Sequence, residues 1–141
     1  MNYKIFNSIS YLVIVIALLF SVVIFYWLLF PYRTIEFNVL PHIVENKQVK
    51  SGEYLVYQVD YCKFTSVVPT ISKYFADGLL YSTPETIATI KGKGCGKNRV
   101  QVYVPKGLPV GKYRMETIYR YQVNPLRSID IKTTTEEFEI I

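Results

Sequence analysis

One histidine, two cysteines and no acidic residue before Pro31: these scarcities in the 141-residue chain narrow its chemistry before any motif is read. A lone His42 cannot supply a histidine-dependent triad or a multi-histidine metal site, so no metal and no cofactor is expected. Flanked by Pro41 and Ile43, it reads as a structural or solvent-exposed side chain. The carboxylates Asp60, Asp77, Glu85, Glu116 and Asp130 form no motif with a recognisable partner, and Asp77-Gly78 is turn chemistry. No catalytic residue is assigned, and the chain reads as a non-enzyme. Internal repeats, low-complexity tracts and long flexible linkers are also missing.

The acid-free segment contains the one long apolar run, residues 11–30, which carries no charge at all. At about 1.5 Å per helical residue it reaches about 30 Å, the thickness of a bilayer's hydrocarbon core. A cleaved secretory signal is the competing reading, because Lys4 precedes the run. However, the run ends in Trp27, Leu28, Leu29, Phe30 and Pro31 with no small-x-small cleavage site. Tyr26, Trp27 and Tyr32 lie at one edge and Tyr3 and Tyr11 toward the other, the positions where amphipathic rings favour the headgroup layer. The expected organisation is a short cytoplasmic tail over residues 1–10, a transmembrane helix over 11–30, and an extracytoplasmic domain over 31–141. A tail holding only Lys4 and the α-amine fits retention inside, opposed by Arg33 alone. Cys62 and Cys95, an even pair in a small β-rich domain, favour an oxidising compartment. The loop that a bond between them would close is worth about 3 to 4 kcal/mol in the chain-entropy model.

Net charge is +5; with Lys4 the only base and no acid before Pro31, the remainder holds 15 bases against 11 acids, or +4. So mild an excess suits an anionic lipid or polymer surface and is not the footprint of a specific nucleic-acid partner.

Beyond residue 34 helical periodicity disappears. Runs rich in Val, Ile, Tyr, Thr and Phe recur between Gly, Pro and Asn, the pattern of an all-β sandwich. Seven strands are expected, over residues 34–40, 54–64, 70–75, 79–81 continuing to 90, 99–104, 112–123 and 128–140. Alternation puts Leu55, Tyr57, Val59 and Tyr61 on one face of the second strand and Gln58, Asp60 and Cys62 on the other. Val100, Val102 and Val104 share a face in the fifth; Tyr113, Met115, Thr117, Tyr119, Tyr121 and Val123 share one in the sixth. In the last strand Ile129 and Ile131 are out of phase with Phe138 and Ile140, which predicts a bulge over 135–137.

The run Leu108, Pro109, Val110, Gly111, Lys112, Tyr113 and the alternating strand after it resemble the turn into strand F of immunoglobulin and fibronectin type III domains. That resemblance implies an immunoglobulin-like sandwich in which the Tyr113 hydroxyl ties the corner to the upstream backbone. In antibody-type domains the residue two beyond is the second cysteine of the inter-sheet bond, and Met115 stands there. A bond between Cys62 and Cys95 would instead clip the Gly-rich loop 92–96 onto an outer face. As a whole, a signal-anchor followed at once by a small sandwich is similar to uncharacterised single-pass membrane proteins of phages and bacteria.

Two surface features follow. The segment 91–99 interleaves Gly92, Gly94 and Gly96 with Lys91, Lys93, Lys97 and Arg99, so backbone amides and cations converge as they do around a phosphate or sulfate. It is not a Walker motif: the glycines are one residue too close, and Asn98 replaces Ser or Thr. It reads as a solvated loop, with the four cations as candidate binding residues. Of the 13 tyrosines, four belong to the apolar run and its edges and five fall on core faces, leaving Tyr54, Tyr74, Tyr81 and Tyr103 for surface recognition. The expected role is a membrane-anchored binding or structural module whose partners are the bilayer and a protein or envelope polymer. The alternatives are a tethered glycan enzyme or glycan-binding domain, and an envelope or virion assembly component. Ala17 and Ser21 form a small-xxx-small pair that permits oligomerisation.

Overall fold

Tyr3–Leu29 form helix α1 in the computed structural model of the chain, which describes residues 3–84, 86–87 and 92–141, with side chains over 7–84 and 92–141. No Gly or Pro interrupts the helix, and it stops just before Pro31, whose ring disfavours helical backbone at the residue preceding it. The many Ile and Val residues are mediocre helix formers in water. In hydrocarbon the same run has no alternative to internal backbone pairing. Within it Asn7–Leu29 is long and apolar enough to cross a membrane and is not buried by the rest of the protein. The helix begins at Tyr3, not at Tyr11, so most of the expected tail continues the helix. Asn7, Ser8 and Ser10 are polar but do not break it.

The chain divides into two units. One is residues 1–32 with the turn Asn124–Arg127; the other is residues 33–123 with 128–141. Inside the first, the carbonyls left open at the end of α1 are met by side chains of the turn. Asn124 Nδ2 donates to the Trp27 carbonyl at 2.8 Å, and Arg127 Nη1 donates to the carbonyls of Leu28 (2.8 Å) and Phe30 (2.9 Å). The last four carbonyls of any helix need such partners, and a cation there also meets the negative end of the helix dipole.

The second unit is built from β1 (Ile35–Phe37), β2 (His42–Ile43), β3 (Gln48–Val49), β4 (Tyr54–Lys63), β5 (Thr70–Ala76), β6 (Leu80–Ser82), β7 (Thr86–Ile87), β8 (Gly94–Tyr103), β9 (Gly111–Asn124), β10 (Arg127–Thr134) and β11 (Phe138–Ile140). In the first sheet β4 is central, with β8 along one side and β1 and β2 sharing the other. The second sheet runs β3-β11-β9-β5, with β6 and β7 on the far side of β5 and β10 paired to β9. β3 lies parallel to β11; the other registered pairs are antiparallel.

The two sheets close on each other. Leu55, Tyr57, Val59, Val102 and Val104 from one meet Phe75, Tyr113, Met115, Phe138 and Ile140 from the other in one buried cluster. Ile35, Ile71, Tyr119 and Tyr121 form a second. The alternating faces read from β4, β8 and β9 are the faces that turn inward. The expected strand over 79–90 is two short segments, β6 and β7, with Glu85 and Ile90 outside the described residues. β2 and β3, not anticipated, occupy what read as a long connection.

The expected bulge over 135–137 is a break between β10 and β11. Thr135 bridges it: its amide donates to the Met115 carbonyl (2.9 Å), and its Oγ1 accepts from the Met115 amide (3.0 Å). Glu136 then reaches the other sheet, accepting from the Ile43 amide at 2.8 Å and from Lys47 Nζ at 2.5 Å. Those donors, Lys47 first, hold the Glu136 carboxyl below its ordinary range. A depressed carboxyl makes the unfolded chain bind more protons, so its stabilisation is complete above the unfolded value near 4.5 and is lost as pH falls through the folded value. Glu136→Gln is therefore expected to flatten the loss of stability below about pH 4.5, measured as denaturation midpoints across pH 2 to 6.

Candidate interaction surface

The sequence-derived site residues fall mainly on the outer face of the β4–β8 ladder. From Gly94 onward the Gly-rich segment is not a loop: β8 pairs with β4 continuously, from Gly94 opposite Lys63 to Tyr103 opposite Tyr54. Glycine is a poor strand former, but long-range partners override that here. A Cβ on Gly96 would meet the Tyr61 hydroxyl at 3.4 Å, so the tyrosine ring lies against the bare glycine. One step along, Cys62 and Cys95 stand directly opposite each other and are joined as a disulfide. The bond staples two neighbouring strands on the outer face.

Alternate residues of β8 point outward from that staple. Lys97 pairs with Asp60 (3.4 Å), which also accepts from Gln58 Nε2 (3.0 Å), and Arg99 pairs with Glu45. These donors, Gln58 first, lower the Asp60 carboxyl. His42, on β2 opposite Gln58, is half-buried beside Asp60 and Glu136. Lys93 is exposed ahead of the strand, and Lys91 lies outside the described residues. Three of the four cations lie among the described residues. Two of them are matched one-to-one by carboxylates that nothing in the local sequence announces.

The tyrosines divide. Tyr54 and Tyr103, cross-strand partners at the end of the ladder far from the disulfide, meet edge to face with ring centroids 5.5 Å apart and remain 60% and 42% exposed. Tyr81 packs toward the core and Tyr113, and Tyr74 is half-buried on the second sheet. Tyr103 also lines a cleft of about 300 Å³ with Lys73, Ser82, Thr83, Pro84 and Gln101. Burial pushes the Lys73 amine below its usual range. Lys73 was missed in the sequence because an isolated lysine on a strand reads as solvated.

At the corner entering β9, the Tyr113 hydroxyl donates to the Pro109 carbonyl at 2.9 Å. Burial first, and Asp77 nearby, push this phenol up to about 12, so it stays a donor at any physiological pH. Met115, two residues on, is fully buried.

No family model and no curated protein matches the sequence. Among solved structures, the chain is similar to the crystal structure of the CARDB domain of the PF1109 protein in complex with di-metal ions from Pyrococcus furiosus. The two are 13% identical, with a TM-score of 0.41 over 79% of this chain and 95% of that one. At that identity and score the likeness carries nothing about partners or ligands, and the metal ions belong to that protein. Among the described residues of this chain, no group of three or more His, Cys, Asp or Glu side chains is placed to hold a metal.

The outer face of the second sheet differs in character. Arg120 and Asp130 pair through two bonds (2.9 and 2.8 Å), Lys132 and Glu116 at 2.7 Å, and Glu137 receives Lys112 (3.4 Å) and Arg114 (3.7 Å). Cross-strand pairs of this kind describe a solvated face. The first sheet combines paired charges with an exposed aromatic pair.

Proposed function

We propose that the protein is a single-pass membrane protein that holds an immunoglobulin-like domain outside the cytoplasm, where the β4–β8 face binds a protein or envelope polymer. The observation that carries the reading is Asn7–Leu29, a helix of bilayer-spanning length and composition that the rest of the protein does not bury. Soluble proteins rarely leave a contiguous apolar surface of that size open to water. The disulfide supports an oxidising compartment for the domain. The exposed Tyr54–Tyr103 pair, with Arg99 four residues back from Tyr103 on the same face of β8, supplies the residue types that dominate interface energetics.

The glycan-enzyme alternative needs two carboxylates free to act in a concave site. In a cleft of about 490 Å³ lined by Asp77, Glu116 and Glu137, the two glutamates are engaged by Lys132, Lys112 and Arg114, and Asp77 accepts from the Leu79 amide. Their arrangement supports structural ion pairing over catalysis.

A photo-crosslinker placed at Gln101 tests the binding face in intact cells. A discrete adduct is expected, and Tyr54→Ser with Tyr103→Ser should weaken it by about 30-fold or more, the scale of losing hot-spot side chains of about 2 kcal/mol. Neutralising Lys91, Lys93, Lys97 and Arg99 should weaken it as well. The same number of substitutions at Lys112, Arg114, Arg120 and Lys132 should leave it intact. Adduct formation that is indifferent to the first two sets removes the β4–β8 face from the account.

A further inference from the structure

We propose that the turn Asn124–Arg127 is a second membrane contact, at which Leu126 enters the lipid interface beside the end of the span. The inference rests on the reading of α1 as a bilayer-spanning helix and adds a partner for a residue outside that helix.

The turn is tied to α1 by side-chain donors and by its own geometry. Asn124 uses both ends of its amide: Nδ2 donates to the Trp27 carbonyl (2.8 Å), while Oδ1 accepts from the Leu126 amide (2.9 Å). The backbone that carries Leu126 is thereby linked through one side chain to the last helical turn. Arg127 adds two bonds, to Leu28 and Phe30. Leu126 therefore shares the depth of residues 27–30.

That depth is marked by the aromatic end of the helix. Tyr26 and Phe30, and Phe30 and Tyr32, meet with ring centroids 5.0 Å apart, and Trp27 follows Tyr26 in the helix. Rings of this kind settle at the boundary between headgroups and acyl chains. Leu126 is 55% exposed at the tip of its turn. A single exposed leucine on a water-facing surface needs no explanation. Tied to the carbonyls of an interfacial helix end, it faces a layer that takes up apolar side chains. The flanking Arg127 carries the guanidinium best suited to the phosphates of that layer.

The test uses the full-length chain in phosphatidylcholine vesicles whose acyl chains are brominated near the headgroup. Trp27 is the only tryptophan, so its fluorescence reports the span, and Leu126→Trp in a Trp27→Phe background reports the turn. Leu126→Trp is expected to emit at shorter wavelength than an exposed indole and to lose most of its fluorescence to the brominated lipid. Adding Asn124→Ala and Arg127→Ala should restore part of that fluorescence by releasing the turn. Val110→Trp in the same background, on an exposed residue of the second unit just before β9, should be unaffected. If native Trp27 is quenched and Leu126→Trp is not, the span stands and this inference falls. Equal quenching at Leu126→Trp and Val110→Trp means general adsorption and also overturns it. An unquenched native Trp27 overturns the span reading itself.

Discussion

Arginine at both Ile16 and Leu19 is expected to release the protein from the membrane into the soluble or degraded fraction. Both residues lie in the middle of Asn7–Leu29 and are exposed. On the insertion scale a central arginine costs about 2.5 to 3.5 kcal/mol, so two cost about 5 to 7 and lower the insertion equilibrium constant by a factor on the order of 10⁴. Snorkelling relieves a charge near a helix end but is least effective at the centre. Ile16→Ala with Leu19→Ala shortens the same side chains without adding charge and should leave the protein in the membrane. Fractionation after alkaline carbonate measures both. Full retention of the double-arginine variant would show that the helix is held by something other than lipid.

Phe75→Ala should cost the sandwich about 3 to 5 kcal/mol, the range for deleting a buried aromatic side chain. Phe75 is completely buried, packs edge-on against Phe138 with ring centroids 6.2 Å apart, and belongs to the cluster that joins the two sheets. Its space cannot collapse easily, because β5 is held between β9 on one side and β6 and β7 on the other. Against a total stability of about 5 to 15 kcal/mol, that loss takes a large share of the domain's margin. Chemical denaturation should show the midpoint falling with little change in slope. Phe75→Leu, which keeps most of the volume, should cost much less. An alanine variant as stable as the parent would place the core elsewhere.

How far the sequence reaches can be judged residue by residue. The inward faces of β4, β8 and β9 follow from alternation, because burial on one side of a sheet forces a period of two. Tyr113 was legible because its corner is local: the hydroxyl closes on Pro109, four residues back. β2 and β3 were not, because each is two residues long and depends on distant groups. The Glu136 carboxylate holds the Ile43 amide, and the Lys47 carbonyl accepts from the Glu139 amide. The segment beginning at Gly94 was misread as a loop for the same reason. Its glycines lack strand propensity, and the Tyr61 ring, the disulfide and the β4 ladder that hold them extended all come from far along the chain. Lys93, Lys97 and Arg99 are exposed. That Lys97 and Arg99 find Asp60 and Glu45 is a matter of register, which no local pattern encodes.

Labelling of the two cysteines in intact cells tests the central claim most directly. The domain beyond α1 should sit across the bilayer from the cytoplasm with Cys62 and Cys95 bonded. A membrane-impermeant maleimide should then label neither cysteine until an impermeant reductant is added, and both afterwards, without lysis. Labelling that appears only after the cells are opened would put the sandwich in the cytoplasm and contradict the account.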